Sequence, residues 1–152
     1  MRLTATVQQW LDSNGWEDPI EVNEEEQSSQ LNFSYQIQEQ SFNVWIETNE
    51  KFGSISIYLY APFKVLPNKF DDFCKLLNEI NTSRLCGSLV ILPQGNIRYQ
   101  YTARFINAEP SIEVIDYMLE AGYYAFNEHW DDISSVALTK TTYQSLVDQR
   151  DS

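Results

Sequence analysis

Glycine is scarce and scattered in this chain. Its five glycines stand alone, so no glycine-rich loop is available to cradle a phosphate. No Gly-x-Ser-x-Gly elbow presents a nucleophilic serine. The single histidine, His129, sits in a helical stretch beside Glu128 and Asp132. One imidazole there supplies only one or two ligands, short of a zinc site, and a solvated or salt-bridged surface histidine is expected. The two cysteines, Cys74 and Cys86, are too far apart for a CxxC redox or zinc motif. Their apolar flanks predict buried free thiols. No apolar run approaches the roughly 20 residues that span a bilayer. The N-terminus leads into an amphipathic segment rather than an apolar signal core, so the expected location is the cytoplasm. Cations are few as well: 10 Lys and Arg stand against 22 Asp and Glu, a formal charge of −12. Affinity for nucleic acid and anionic lipid is built by cations neutralising phosphate, so neither is an expected partner.

What is present is enough for one core. Hydrophobic residues make up 43% of the 152 residues and aromatics 14%, and that length suits a single domain. The domain is expected to span residues 1–152, with its core from about 3 to 136 and a short C-terminal helix over 141–150.

Periodicity gives the order of elements. Leu3, Val7, Trp10 and Leu11 share one helical stripe, and Asn14-Gly15 supplies a common helix ending. The polar run Glu24-Glu25-Glu26-Gln27-Ser28-Ser29 reads as a solvated loop. Three alternating runs follow: Leu31, Phe33, Tyr35, Ile37; Phe42, Val44, Ile46; and Ile55, Ile57, Leu59. Period-two alternation predicts half-buried strands in an antiparallel meander. A two-residue turn at Glu39-Gln40 sets Ile37 opposite Phe42, and a turn through Asn49-Glu50-Lys51-Phe52 sets Ile46 opposite Ile55. Pro62 and Pro67 are expected to end the third strand and open a second helix with Phe70, Phe73, Leu77 and Ile80 inward. A second hairpin closes through Pro93-Gln94-Gly95, pairing Ile91 with Ile97 and Leu89 with Tyr99. Pro110 fits the first turn of a long helix. Thr141 and Gln144 have the spacing of a capping box for a last short helix. The fold class is α+β: a five-stranded antiparallel sheet with helices packed on it, ordered α-β-β-β-α-β-β-α(-α).

Catalytic groups do not converge. Asp71/Asp72 and Asp131/Asp132 are adjacent on helices, where side chains diverge by about 100°, so neither pair can serve one reacting atom. No cofactor, metal or catalytic residue is assigned. Strand parity points elsewhere. If the alternating residues face the core, Trp45, Tyr58 and Tyr60 point to the opposite sheet face. There they are either a protein-binding patch or the floor beneath one of the chain's own helices. Leu89-Val90-Ile91-Leu92 is apolar on both sides, so Val90 and Leu92 pose the same question. Arg98 and Arg104 form a small basic stripe. A pocket between sheet and helix, serving a small-molecule sensor or an unrecognised enzyme, is the alternative.

Two stretches resemble a known family. Val7-Gln8-Gln9-Trp10-Leu11-Asp12-Ser13-Asn14-Gly15-Trp16 is similar to the first helix of the YbjN family, labelled sensory transduction regulators. Leu76-Leu77-Asn78-Glu79-Ile80-Asn81-Thr82-Ser83, running into Gly87–Leu92, resembles its second helix and fourth strand. The order of elements from Leu3 to about Val136 also fits. The resemblance implies a fold like that of type III secretion chaperones, which bind extended segments of client proteins and are often homodimers. Such dimers pair through the second helix and fourth strand, here Pro67–Ile80 and Gly87–Leu92, which makes Val90 and Leu92 of the two-sided apolar strand candidates for a dimer interface. The resemblance carries over no catalytic or ligand residue, and a shared fold does not transfer a client.

Overall fold

The computed structural model describes residues 1–152. In chain order it contains α1 (Arg2–Ser13), β1 (Glu21–Asn23), β2 (Ser28–Ile37), β3 (Gln40–Asn49) and β4 (Ser54–Lys64). A 3-10 turn at Pro67–Lys69 leads into α2 (Phe70–Thr82), followed by β5 (Ser88–Ile91), β6 (Asn96–Arg104), α3 (Ile112–Leu138) and α4 (Tyr143–Asp151). The sheet has six strands, not the five expected, in the order β1-β2-β3-β4-β6-β5 with every pair antiparallel. The extra strand is β1, whose three residues are all exposed. With nothing to bury, it shows no alternation for a sequence reading to detect.

Alternation places the faces correctly. Leu31, Phe33, Val44, Ile46, Ile57, Leu59, Ile97 and Tyr99 all point inward, into one cluster of 31 buried apolar residues. The helices pack against that side, with Trp10, Phe73 and Phe126 fully buried among them. The registers of the first two hairpins differ from expectation. Tyr35, not Ile37, lies opposite Phe42, and Ile46 lies opposite Ile57 rather than Ile55. Each shift is two residues, which preserves the face of every side chain. The first turn is Gln38-Glu39, both left-handed with φ of 53° and 61°. The second ends in Gly53 at φ 72°. The β5–β6 hairpin has the expected pairs, Leu89 with Tyr99 and Ile91 with Ile97.

Four local expectations need correction. Pro62 does not end its strand, because β4 continues to Lys64 across a register break between Tyr60 and Lys64. A proline costs no ladder bond at such an irregularity. Ser28 and Ser29 belong to β2, and Ser29 is buried because its hydroxyl bonds Thr48 Oγ1 at 2.6 Å and accepts from Thr4 Oγ1 at 3.0 Å. The capping box of α4 is Thr142 with Ser145, one residue beyond the Thr141/Gln144 pair, and the serine hydroxyl does what a longer amide does elsewhere. Cys74 is exposed, since the buried stripe of α2 runs through Phe73, Leu76, Leu77 and Ile80; Cys86 is half-buried.

Two long-range contacts seat the helices. Glu50, in the turn after β3, accepts from the backbone N–H of Leu3 at 2.9 Å and of Thr4 at 3.0 Å. It thereby caps α1 with a negative charge at the positive end of the helix dipole. At the sheet centre α3 approaches closely through Gly122, where an added Cβ would stand 2.8 Å from Tyr99 Cδ1 and 3.0 Å from both Leu59 methyls. Replacing Gly122 by Val should therefore cost about 1–3 kcal/mol through overpacking, despite the poor helix propensity of glycine. Urea unfolding of G122V against wild type checks this, and unchanged stability would show that α3 can lift off the sheet freely.

Candidate protein-binding face

The side of the sheet away from the helices is a surface of its own. On β3, Trp45 lies directly opposite Tyr58 of β4, closer than the diagonal placement expected from sequence. Tyr58 is opposite Gln100 of β6, and Gln100 is opposite Ser88 of β5. The next row runs Asn43, Tyr60, Arg98, Val90. Trp45, Tyr58, Tyr60 and Val90 are half-buried, and none belongs to the core or to the residues packed against it. The candidate binding residues and the candidate dimer residue Val90 therefore share one face. Leu92 flanks them, half-buried at the hairpin turn, where its N–H bonds Asn96 O at 2.8 Å.

Arg98 joins the two tyrosines. Its guanidinium carbon lies 4.7 Å from the Tyr58 ring centroid and 5.8 Å from that of Tyr60. Nη1 donates to Tyr60 Oη at 3.2 Å and Nη2 to Gln100 Oε1 at 2.6 Å. Each cation–π contact contributes roughly 0.5–2 kcal/mol, more as water is excluded. Nε of Arg98 is buried without a partner, and no carboxylate pairs with the side chain. Arg104 rests similarly on Phe52, 3.8 Å from the ring centroid, and donates to Phe52 O at 3.1 Å. Sequence alternation exposes the parity of Arg98 but not its neighbours, because Tyr58 and Tyr60 reach it through the non-local β4–β6 pairing.

The opposite side of the molecule is acidic. Along α3, Glu113, Asp116, Glu120, Glu128 and Asp131 are exposed. Nearby, Arg150 of α4 bridges Glu79 of α2 and Asp132 of α3, the latter at 3.1 Å. Asp132 is thus part of a structural clasp. Arg84 pairs with Glu128 at 3.1 Å. Asp71 and Asp72 occupy the first turn of α2, where the helix dipole favours them. Cys86 stands against Tyr101 and Tyr117; burial and then the thiol push the Tyr101 phenol up to about 12, so it stays protonated at neutral pH.

One depression, about 660 Å³, lies over β1–β3 and is lined by polar and acidic groups including Glu21, Glu24, Glu26 and Glu47. A second, about 630 Å³, opens on the outer face beside Arg98. Neither is sandwiched between sheet and helix. No group of three or more His, Cys, Asp or Glu side chains is arranged to hold a metal ion, and no helix is long and apolar enough to cross a membrane.

The antiparallel six-stranded sheet with four helices on one side is a chaperone-like α+β fold, and comparison with known proteins supplies the family. Residues 4–134 match the family model YbjN, described as "Putative bacterial sensory transduction regulator", and the chain belongs to that family. The crystal structure of YbjN from E. coli is similar at 15% identity, covering 95% of this chain and 92% of that one, with a TM-score of 0.49. A chain of the HopA1-SchA chaperone–effector complex is similar at 11% identity and a TM-score of 0.55, covering 86% of this chain and 93% of that one. At these identities the likeness is one of fold. No curated protein matches the sequence.

His129 gives this acidic side a pH response. Burial first and Arg84 next hold its pKa below the ordinary value, against the opposing pull of Glu128, Asp132 and Glu79. As pH falls the unfolded chain takes up this proton first. The stabilising contribution is complete above the unfolded pKa, about 6.5, and is lost as pH drops through the lower folded value. The variant H129Q should show a flatter stability profile between about pH 7 and 5, measured by urea midpoints across that range. An identical slope in both proteins would contradict the assignment.

Proposed function

We propose that this protein works by binding another protein through the open face of its sheet, as a chaperone-like or regulatory adaptor in the cytoplasm without chemistry of its own. The observation that carries the reading is the cluster Trp45, Tyr58, Tyr60 and Arg98, which no helix of the chain covers. Large rings presented at low entropic cost beside a desolvated arginine are the composition of binding hot spots. The shared fold with a chain from a chaperone–effector complex is consistent with that use. Affinity capture from the native cell with wild type and with the W45A/Y58A double variant tests the reading. Wild type should retain a protein that the variant loses, with an affinity drop of at least about thirtyfold, as expected for hot-spot truncation. Identical captured sets, with the variant folded by circular dichroism, would remove the face from consideration.

Self-association is the second reading, motivated by Val90 on the same row as Arg98 and Tyr60 and by Leu92 beside it. It makes the working form a homodimer. Light scattering should then give twice the chain mass for wild type, and V90K/L92K should give a folded monomer. A monomeric wild type at high concentration ends this reading and leaves the first intact.

A further inference from the structure

Strand β6 outruns its neighbour. β5 pairs with Ile97–Gln100, while β6 continues to Arg104. The register fixes where the remaining backbone groups point. Leu92 N–H bonds Asn96 O at 2.8 Å, so even-numbered residues of β6 direct their N–H and C=O toward the β5 side. Odd-numbered Leu89 of β5 directs its groups away from β6, and there the Asn81 carboxamide satisfies both: it donates to Leu89 O at 2.9 Å and accepts from Leu89 N–H at 2.8 Å. The fold thus closes its own edge at Leu89. It does not do so further along. Thr102 and Arg104 turn their backbone groups to the side where β5 has ended, and no turn or loop backbone group bonds them.

The 630 Å³ groove on the outer face adjoins this stretch. Tyr58, Arg98, Tyr101 and Thr102 line it from the sheet, with Leu85 and Cys86 from the loop before β5. Leu85 is fully exposed, an unusual state for a leucine beside an open strand edge. Arg98 is the one charged residue in the groove, in a chain whose acids outnumber its bases 22 to 10.

We propose that the edge of β6 from Tyr101 to Arg104 takes an extended, acidic segment of the partner protein as a short added strand. This rests on the protein-binding reading above and names its mode. The backbone of Thr102 and Arg104 supplies the pairing, as in other strand-addition complexes. Four residues of edge, about 13 Å, set the length. Alternate side chains of the segment divide between the two faces. Those on the outer face, opposite Thr102, border the groove that Arg98 lines, and Arg104 follows Thr102 on the same face of β6; neither cation has a carboxylate partner, so a Glu or Asp fits there. Those on the inner face meet Tyr101, Ala103 and Tyr117, so apolar residues fit there. A second copy pairing antiparallel through the same two residues would set Arg104 opposite Thr102 and bring no carboxylate to either cation.

The test uses the full chain and four acetylated hexapeptides: alternating Glu-Val, alternating Gln-Val, alternating Lys-Val, and Glu-Val with every second amide N-methylated on the bonding edge. Affinity is read by calorimetry and the bonding site by NMR amide exchange. The Glu-Val peptide should bind at least tenfold tighter than the Gln-Val and Lys-Val peptides. It should slow exchange at Thr102 and Arg104 and leave Leu89 unchanged, and N-methylation should abolish binding. Equal affinity for the Glu and Lys peptides, no binding of the Glu peptide at millimolar concentration, or binding without slowed exchange at Thr102 and Arg104 would each overturn strand addition. The failures are separable. If W45A/Y58A loses the captured protein while that protein leaves Thr102 and Arg104 exchange unaltered, the face reading stands and the edge reading falls. If the Glu-Val peptide protects the edge while capture ignores Trp45 and Tyr58, the reverse holds.

Discussion

The ring of Tyr99 holds the two layers of this molecule at their spacing. It is fully buried on β6, and two of the chain's five glycines exist where its atoms leave no room for a Cβ. Gly122 lets α3 settle onto its edge, and Gly87 lets the chain turn into β5 past its phenol. The hydroxyl donates to Cys86 O at 3.1 Å, and burial raises its pKa, so the donor keeps its proton. A helix, a turn and the strand next to the sheet edge are therefore fastened at one side chain. Any larger residue at either glycine must displace the ring, and a buried ring has nowhere to go without disturbing the packing around it.

That tight inner seam decides what the outer face is. Because all four helices gather on one side, the greasy half of each strand is sealed, and the other half carries whatever the strands supply. Over β4 and β6 the strands supply rings and arginines. The acidic charge that gives the chain its −12 is concentrated elsewhere, along α3 and around β1. Arg98 and Arg104, without carboxylate partners on an otherwise acidic chain, favour one orientation of a docked partner through complementary charge.

What the amino-acid order makes legible depends on the range of each interaction. Alternation in Phe42, Val44 and Ile46 places every side chain on its proper face, and parity places Trp45, Tyr58 and Tyr60 on the other. Register slips by two residues because the turn Gln38-Glu39 uses left-handed backbone without the glycine or asparagine that usually announces it. Burial of Ser29 leaves no local mark, since its reason is a hydroxyl network with Thr4 and Thr48 brought from two other elements. Strand β1 carries no pattern because it buries nothing. The link from Arg98 to Tyr58 and Tyr60 crosses from β4 to β6 over a helix and a hairpin, and no local rule reaches that far.

The capping of α1 by Glu50 bears on how the chain assembles as it is made. The helix has twelve residues, no acid in its first turn and no side-chain cap from Met1. A helix of that length is marginal in water when alone. Its N-terminal amides find their acceptor 47 residues downstream. The helix thus leaves the ribosome well before the residue that fastens it, waiting for a hairpin tip that has yet to be translated. Until then its apolar stripe stays accessible to whatever meets the nascent chain.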